Sequence, residues 1–403
     1  DRNILEKSIE ELTRHHDALR MVYKRREGNW EQINLDTKSK RYTLDFYDLR
    51  DADNALEKMA ELGEVLQSSI KLSEGPLLRV VHFRLKDGDR LGLIIHHLVV
   101  DGVSWRILLE DLSGLYTTYK AGKKASLPLK TDSFQSWALL QKEYAKGRKL
   151  QKERNYWEEL CHLKIEGLPQ DKEVKQDEVI MDSSESFGLD KYTTELLQTR
   201  VHRVYNTAIN DVLLTGLGLA IKEVFSREMS VLKMEGHGRE DILAGVDISR
   251  TVGWFTTVYP FVLDVSKSSI EVESLIGVKE ALRKVPKKGI GYGILKHSSQ
   301  EGLEGEIIPE ISFNYLGDFG SSAAGSGENS LFEYTSEYIG EGTAKENGKN
   351  VILDVSGMLV MGELSMSIRY SKSRYDSKTI QKLVKSYEKT LKSIIKELSK
   401  SNN

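Results

Sequence analysis

The stretch LGLIIHHLVVDGVSW, residues 91–105, decides the fold of the first part of the chain. Its apolar residues alternate along a predicted strand, so that one face carries Leu91, Leu93, Ile95 and His97. An Asp-Gly pair at 101–102 ends the strand. Two adjacent histidines therefore stand where a half-buried strand gives way to a turn.

The segments on either side of this stretch predict a hairpin and a helix. Upstream, PLLRVVHFRLKDGDRLGLIIHH holds two β-rich apolar runs around KDGD, a strong tight-turn signal. Downstream, SWRILLEDLSGLYTTYKAG predicts an amphipathic helix with Ser104 as its N-cap and Gly122 as its stop. The segment SFQSWALLQKEYAKGRKLQKERNYWEELCHL predicts further helix up to about Leu163.

The second half of the chain follows a polar, charged stretch that lacks periodicity, so we predict a boundary near residue 170 and two lobes, 1–170 and 171–403. TAINDVLLTGLGLAIKEVFS predicts a helix, and SVLKME, AGVDIS and ELSMSIRY predict strands. The apolar stripe of SKTIQKLVKSYEKTLKSIIKELSK predicts a helix packed on the core. GSSAAGSGEN, residues 320–329, predicts a flexible loop.

The composition is that of a soluble globular protein of about two domains. The 403 residues carry a net charge of -3, which predicts neither nucleic-acid binding nor attraction to an anionic membrane. The chain has no run of about twenty apolar residues and no signal peptide. The single cysteine, Cys161, lies among apolar residues at helical spacing, which predicts a structural thiol and a reducing cytoplasm. An apolar helical face begins at Ile4 without a preceding Met, so we expect an upstream segment.

His97 is the first candidate for chemistry. A histidine between a strand and a helix N-terminus can accept a proton near neutral pH, and the helix dipole keeps its imidazole neutral. The alternative is a histidine whose hydrogen bonds are satisfied within a turn. Asp101 either holds a nearby arginine or fixes the turn, and a structural role is favoured.

Glu235 is the second candidate, in KMEGHGREDI. It follows a predicted strand, and Gly236 and Gly238 allow a close backbone approach. The alternative is a solvated turn. His237 suggests a metal ligand, but the chain has neither an H-E-x-x-H motif nor a cysteine pair, so no metal is expected.

Two further stretches leave alternatives open. SRTVGWFTTVYP places Trp254, Phe255 and Tyr259 among small residues, either along an apolar channel or in a core. GIGYG, beginning at Gly289, lacks the ending of a phosphate-binding loop. No G-x-S-x-G elbow occurs, which argues against a serine hydrolase.

Together these stretches resemble a known family. HHLVVDGVSW matches the HHxxxDG signature of the condensation-type domains of nonribosomal peptide synthetases, and RHHDALR is similar to another of their motifs. EGHGRE, DISRTVGWFTTVYP, PKKGIGYG and FNYLGDF resemble the motifs of the epimerization subclass, in the family's order from His15 to Phe319. The family's motif upstream of the first helix is missing, so we expect the first lobe to be incomplete.

The resemblance implies an α/β fold, of the α+β kind, with two chloramphenicol-acetyltransferase-like lobes in a V-shaped pseudo-dimer around a tunnel. It implies a substrate carried as an aminoacyl or peptidyl thioester on the 4'-phosphopantetheine of a carrier protein. His97 and Glu235 become the proton-transfer residues. The implied supporting residues are Asp101, Ser104, Asp111, Arg239, Asn314 and Tyr315. The implied tunnel residues are His96, Trp254, Phe255 and Tyr292.

The implied reaction inverts the α-carbon by removal of its proton from one face and return of a proton to the other, through an enolate. The enolate oxygen would be met by the helix N-terminus near Ser104 or by the His97 imidazolium, and Asn314 and Tyr315 are further candidates. The domain itself needs no cofactor. The implied partners of a monomeric domain are the upstream peptidyl carrier domain of the same synthetase and the downstream condensation domain of the next.

Three rival functions stay open. A condensation domain that forms a peptide bond has the same HHxxxDG stretch but does not require a glutamate at 235. A degenerate domain would recruit a partner without catalysis. A free acyltransferase would use soluble coenzyme A.

Overall fold

The histidine-rich stretch belongs to the first of two units into which the chain folds. The computed structural model describes residues 1–174, 180–268, 270–299, 301–318, 331–344, 347–348 and 350–400. Unit 1 comprises Asp1–Leu139, Leu243–Phe255 and Ser321–Ala344; unit 2 comprises Leu140–Ile242, Thr256–Gly320 and Lys345–Asn403. These units differ from the predicted lobes 1–170 and 171–403, because residues 140–170 fold with the second unit and two later segments fold with the first.

Unit 1 carries a three-stranded sheet, a two-stranded sheet and four helices among its described residues. The helices and strands in chain order are α1 Arg2–His15, β1 Met21–Arg26, β2 Asn29–Asn34, β3 Thr43–Asp48, α2 Ala55–Ser68, β4 Leu78–Leu85, β5 Gly88–Ile95, α3 Gly102–Lys120 and α4 Phe134–Tyr144, the last of which ends in unit 2. The three-stranded sheet has the order β3-β4-β5, and β4 and β5 form the predicted antiparallel hairpin. Helices α1 and α3 pack against each other. Both contribute buried apolar residues to a core cluster that also contains residues of β4.

Unit 2 is built on one six-stranded sheet. Its helices and strands are α5 Arg148–Cys161, β6 Ser183–Leu189, α6 Lys191–Thr199, α7 His202–Tyr205, α8 Ile209–Phe225, β7 Met229–Gly236, β8 Thr257–Asp264, α9 Glu271–Lys284, α10 Ile290–Ser298, β9 Ile311–Asp318, β10 Leu353–Val360, β11 Glu363–Tyr370 and α12 Ser377–Lys400. The strand order is β6-β11-β10-β9-β7-β8. β9 lies parallel to both β7 and β10, so the polar ends of β7 and β9 meet at one edge of the sheet.

The segments with the strongest hydrophobic periodicity form the strand and the helix that this periodicity predicts. In β11 the alternating set Leu364, Met366, Ile368 and Tyr370 is fully buried. The apolar stripe of α12 is buried from Ile380 to Leu398 and packs against α8. Cys161 ends α5 and is buried, and burial raises the pKa of its thiol, as suits a structural thiol.

Four local predictions need correction. β5 ends at Ile95, because residues 97–99 form a 3₁₀ turn, so His97 is not a strand residue. Asp101, not Ser104, caps α3. AGVDIS is irregular: Gly245 has a positive φ, and Asp247 bonds to Asp132 of a loop rather than to a strand. The predicted helix up to Leu163 is two helices, broken at 145–147.

Two further observations concern the low-complexity stretch and the search for a membrane-spanning helix. GSSAAGSGEN lies outside the described residues, so its prediction as a loop stays a prediction. Within the described ranges, we find no helix that is long and apolar enough to cross a membrane.

Candidate functional site

His97 is presented by a tight turn at the end of the hairpin. It begins the 3₁₀ turn His97–Val99 directly after β5, and its side chain is exposed. The centroid of its ring lies 4.9 Å from that of Trp254, with 51° between the ring planes. Trp254 is 42% exposed. An accessible imidazole beside an accessible indole is an arrangement that can contact a substrate.

His96, which the resemblance places in the tunnel lining, has one ring nitrogen engaged within the turn. Its Nδ1 accepts a hydrogen bond from the backbone N–H of Leu98 at 3.2 Å, so the ring caps the turn. Burial, helped by the neighbouring His97, lowers the pKa of His96. The neutral ring that this acceptor requires is therefore favoured.

Asp101 and Ser104 fasten the start of α3 to the segment 243–255. Asp101 is 4% exposed, and its Oδ1 accepts from Ser104 N at 2.7 Å while its Oδ2 accepts from Phe255 N at 3.0 Å. Ser104 Oγ donates to Gly253 O at 2.9 Å and accepts from Gly253 N at 3.1 Å. Asp101 thus fixes the turn, the structural role that the sequence favours. These bonds also hold the backbone on both sides of Trp254.

Asp111 lies in a buried polar cluster in the middle of α3. Its carboxylate oxygens contact His16 Nε2 at 2.8 Å and the guanidinium of Arg250. His16 lies within RHHDALR and Arg250 within DISRTVGWFTTVYP, but the sequence does not indicate that either residue contacts Asp111.

The two aromatic residues at 254 and 255 have opposite environments. Phe255 is 5% exposed, and its ring lies 5.0 Å from that of Phe134 and 6.2 Å from that of Trp137. Phe255 is therefore a core residue of unit 1, which corrects its assignment to a tunnel wall. Trp254 keeps an exposed face next to His97.

Glu235 lies at the end of β7 and is held by a side chain of the neighbouring parallel strand. Asn314 Nδ2 donates to Glu235 Oε2 at 2.7 Å. The strand register brings them together, because Met234 pairs with Phe313 one position earlier. Tyr315 follows on β9, and burial raises the pKa of its hydroxyl to about 12, so it stays protonated at neutral pH.

The turn after Glu235 is ordered by its own side chains. His237 Nδ1 accepts from Arg239 N at 3.0 Å, and His237 Nε2 lies 3.0 Å from Glu240 Oε1. Lys288 lies 3.4 Å from the other oxygen of Glu240. His237 is thus engaged within the turn. Among the residues that the structure describes, no group of three metal-binding side chains occurs.

The glycines of GIGYG have a packing explanation. Gly289 has a φ of +87°, and a Cβ there would overlap the ring of Tyr259 on β8. A Cβ on Gly291 would overlap the carboxylate of Glu153. Tyr292 is buried, with its ring 5.2 Å from that of Trp157, so it belongs to the packed interior of unit 2. The two glycines therefore allow this segment to pack closely against β8 and α5.

Comparison with known proteins places the chain in a class that fits these features. The model of the Condensation domain family matches residues 1–403. The chain belongs to the condensation-domain family.

Curated relatives are much longer than this chain. It is 41% identical to tyrocidine synthase 2 of Brevibacillus parabrevis over 98% of its length, which is 11% of that protein. It is 40% identical to surfactin synthase subunit 1 of Bacillus subtilis over 97% of its length, again 11% of that protein. The chain therefore spans about a tenth of these multidomain synthases.

Solved structures confirm the fold. A crystal structure of the epimerization domain from the third module of tyrocidine synthetase B matches all of this chain and 90% of that chain, with a TM-score of 0.93 and 40% identity. The condensation domain of the Monacolin K polyketide synthase matches 99% of this chain and 90% of that chain, with a TM-score of 0.75 and 16% identity, which supports the fold alone.

Proposed function

We propose that this domain epimerizes the α-carbon of an aminoacyl or peptidyl thioester, from L to D, in nonribosomal peptide synthesis. The observation that carries the proposal is the similarity over the whole chain, with 40% identity and a TM-score of 0.93, to a structure described as an epimerization domain. The ordered glutamate at 235 supports it, since epimerization needs a second ionisable group besides His97.

The chemistry calls for two proton-transfer groups. A thioester carbonyl accepts negative charge when the α-proton leaves, and the resulting enolate is planar. A proton returned to the opposite face then gives the other isomer. We assign His97 and Glu235 to these two transfers, and each contributes a factor of ~10²–10⁴ in rate.

The structure narrows the choice of groups that would stabilise the enolate. Ser104 is fully buried, its N–H is used by Asp101 and its hydroxyl is used by Gly253. The N–H and the hydroxyl of Ser104 are therefore engaged within unit 1, and we do not assign either of them to the enolate oxygen. We assign the charge stabilisation to the protonated His97 and to the Tyr315 hydroxyl.

The proposed substrate arrives on the 4'-phosphopantetheine of a carrier domain, and no metal, pyridoxal or nucleotide takes part. The synthases that the chain resembles support a setting with a peptidyl carrier domain upstream and the condensation domain of the next synthetase downstream. We propose a cytoplasmic location on the same basis.

Peptide-bond condensation is the second candidate, and the name of the matching family favours it. That reaction needs a nucleophilic amine on a second carrier and no removal of the α-proton. The two candidates therefore predict different fates for the α-hydrogen.

The deciding experiment incubates the domain in D₂O with an aminoacyl carrier protein and follows deuterium at Cα by mass spectrometry. We expect deuterium uptake with the wild type and its loss by at least about a hundredfold in His97→Ala and in Glu235→Ala. His162→Ala and Glu195→Ala, two exposed side chains of unit 2, serve as matched controls. Full exchange in both site variants contradicts the two-residue scheme. Dipeptide formation from an added aminoacyl acceptor, without uptake of deuterium, identifies the condensation reaction instead.

A further inference from the structure

Leu98, the residue after His97, has both of its polar backbone groups held by side chains of unit 1. Its N–H donates to His96 Nδ1 at 3.2 Å. Its carbonyl accepts from the Tyr23 hydroxyl at 3.0 Å. The turn that presents His97 is therefore tied on one side to its own chain segment and on the other side to β1.

We propose that Tyr23 is a positioning residue for His97, acting through the Leu98 carbonyl, an assignment that rests on the proposed function. Within the part of the chain that the structure describes, the ring contact of His97 is with Trp254, which is itself partly exposed. The location of the imidazole therefore depends on the backbone of the turn. A turn that shifts by a fraction of an ångström moves the proton-transfer atom by a similar amount.

The position of Tyr23 is itself fixed by hydrogen bonds and by packing. Its backbone N–H donates to Leu72 O at 2.8 Å, and its ring packs against the core cluster of unit 1. Gln32 Nε2 donates to its hydroxyl oxygen at 3.0 Å, which leaves the hydroxyl proton for Leu98. Burial raises the pKa of Tyr23 to about 12, so the hydroxyl keeps that proton at neutral pH.

The test compares Tyr23→Phe with Tyr119→Phe. Tyr23→Phe keeps the packed ring and removes only the hydroxyl. Tyr119→Phe makes the same change on α3, where the ring packs on the same core cluster beside Lys7. We expect kcat for α-proton exchange to fall ~10-fold in Tyr23→Phe with KM unchanged, because a misplaced catalytic group costs up to about a hundredfold. Tyr119→Phe should exchange at the wild-type rate.

A second readout does not depend on the reaction. The ring signals of His97, assigned by ¹H–¹⁵N NMR with His97→Gln, should move in Tyr23→Phe and stay in place in Tyr119→Phe. Unmoved ring signals, or an unchanged kcat in an exchange-competent domain, overturn the proposal. If the wild type exchanges no α-proton, the proposed function fails instead, and the ring signals alone decide whether Tyr23 positions His97.

Discussion

The side-chain amide of Asn314 donates a hydrogen bond of 2.7 Å to the carboxylate of Glu235, and the two residues lie at neighbouring positions of parallel strands. A hydrogen bond to a carboxylate favours its charged form and fixes its orientation. Asn314 therefore orients the Glu235 carboxylate from a neighbouring strand of the sheet rather than from a loop.

Replacing Asn314 by Asp should shift the pH dependence of exchange. A second carboxyl group beside Glu235 makes ionisation of both groups unfavourable, so the second of the two ionisations moves to higher pH. The acid limb of kcat should then move to higher pH by about one unit or more. Asn314→Ala, which removes the donor without adding charge, should move it less. An acid limb in Asn314→Asp that coincides with that of the wild type would show that Glu235 does not titrate in the reaction.

Two glycines with positive φ allow the cost of a left-handed backbone to be measured separately from the cost of steric overlap with a neighbouring side chain. Gly289 (φ +87°) faces the Tyr259 ring, whereas at Gly245 (φ +75°) no described residue other than its chain neighbours has an atom within 4 Å of the ideal Cβ position. We expect Gly245→Ala to lower the unfolding free energy by about 1 kcal/mol, the cost of left-handed backbone alone. Gly289→Ala should cost about 1–3 kcal/mol more, because the methyl group forces the buried ring of Tyr259 to move. Urea unfolding followed by circular dichroism measures both; equal costs would mean that the ring yields freely.

Local periodicity predicts the elements, but contacts between distant segments decide the site. The hairpin, β11 and α12 follow from alternation and helical spacing, because each signal lies within about 25 neighbouring residues. Segment 243–255 joins unit 1 through Ser104 and Gly253, which are 149 positions apart. Segment 331–344 does so through Arg90 and Glu337, which are 247 apart. No local pattern encodes such pairs. AGVDIS has the composition of a strand, yet its polar groups bond to a distant loop.

The stability of the fold should be sensitive to loss of one of the two acceptor oxygens of the buried Asp101 carboxylate. It accepts two backbone N–H groups, and in Asp101→Asn one of these must face an NH₂ group instead. A buried donor left without its acceptor costs about 1–3 kcal/mol. Asp190→Asn is the matched control, because Asp190 caps α6 through Thr193 N at an exposed site, where water replaces the lost bond. Urea unfolding of both variants should show the larger loss in Asp101→Asn, and equal losses would contradict the structural role of Asp101.

Part of the fall in unfolding free energy at acid pH should come from His202 of unit 2. Burial lowers the pKa of His202 below its usual value despite the opposing charge of Asp211, and its Nδ1 lies 3.0 Å from Thr207 Oγ1. Between the lowered pKa and the ordinary value near 6.5, the unfolded chain binds the proton and the folded chain does not. The unfolding free energy therefore falls as the pH drops through that window, with a slope from this group of at most about 1.4 kcal/mol per pH unit. His202→Gln keeps a polar side chain and removes the titration, so its unfolding free energy should fall less than that of the wild type between pH 7 and pH 5. A difference between the two proteins that stays constant over this range, in urea unfolding at each pH, would show that His202 titrates alike in the folded and unfolded chains.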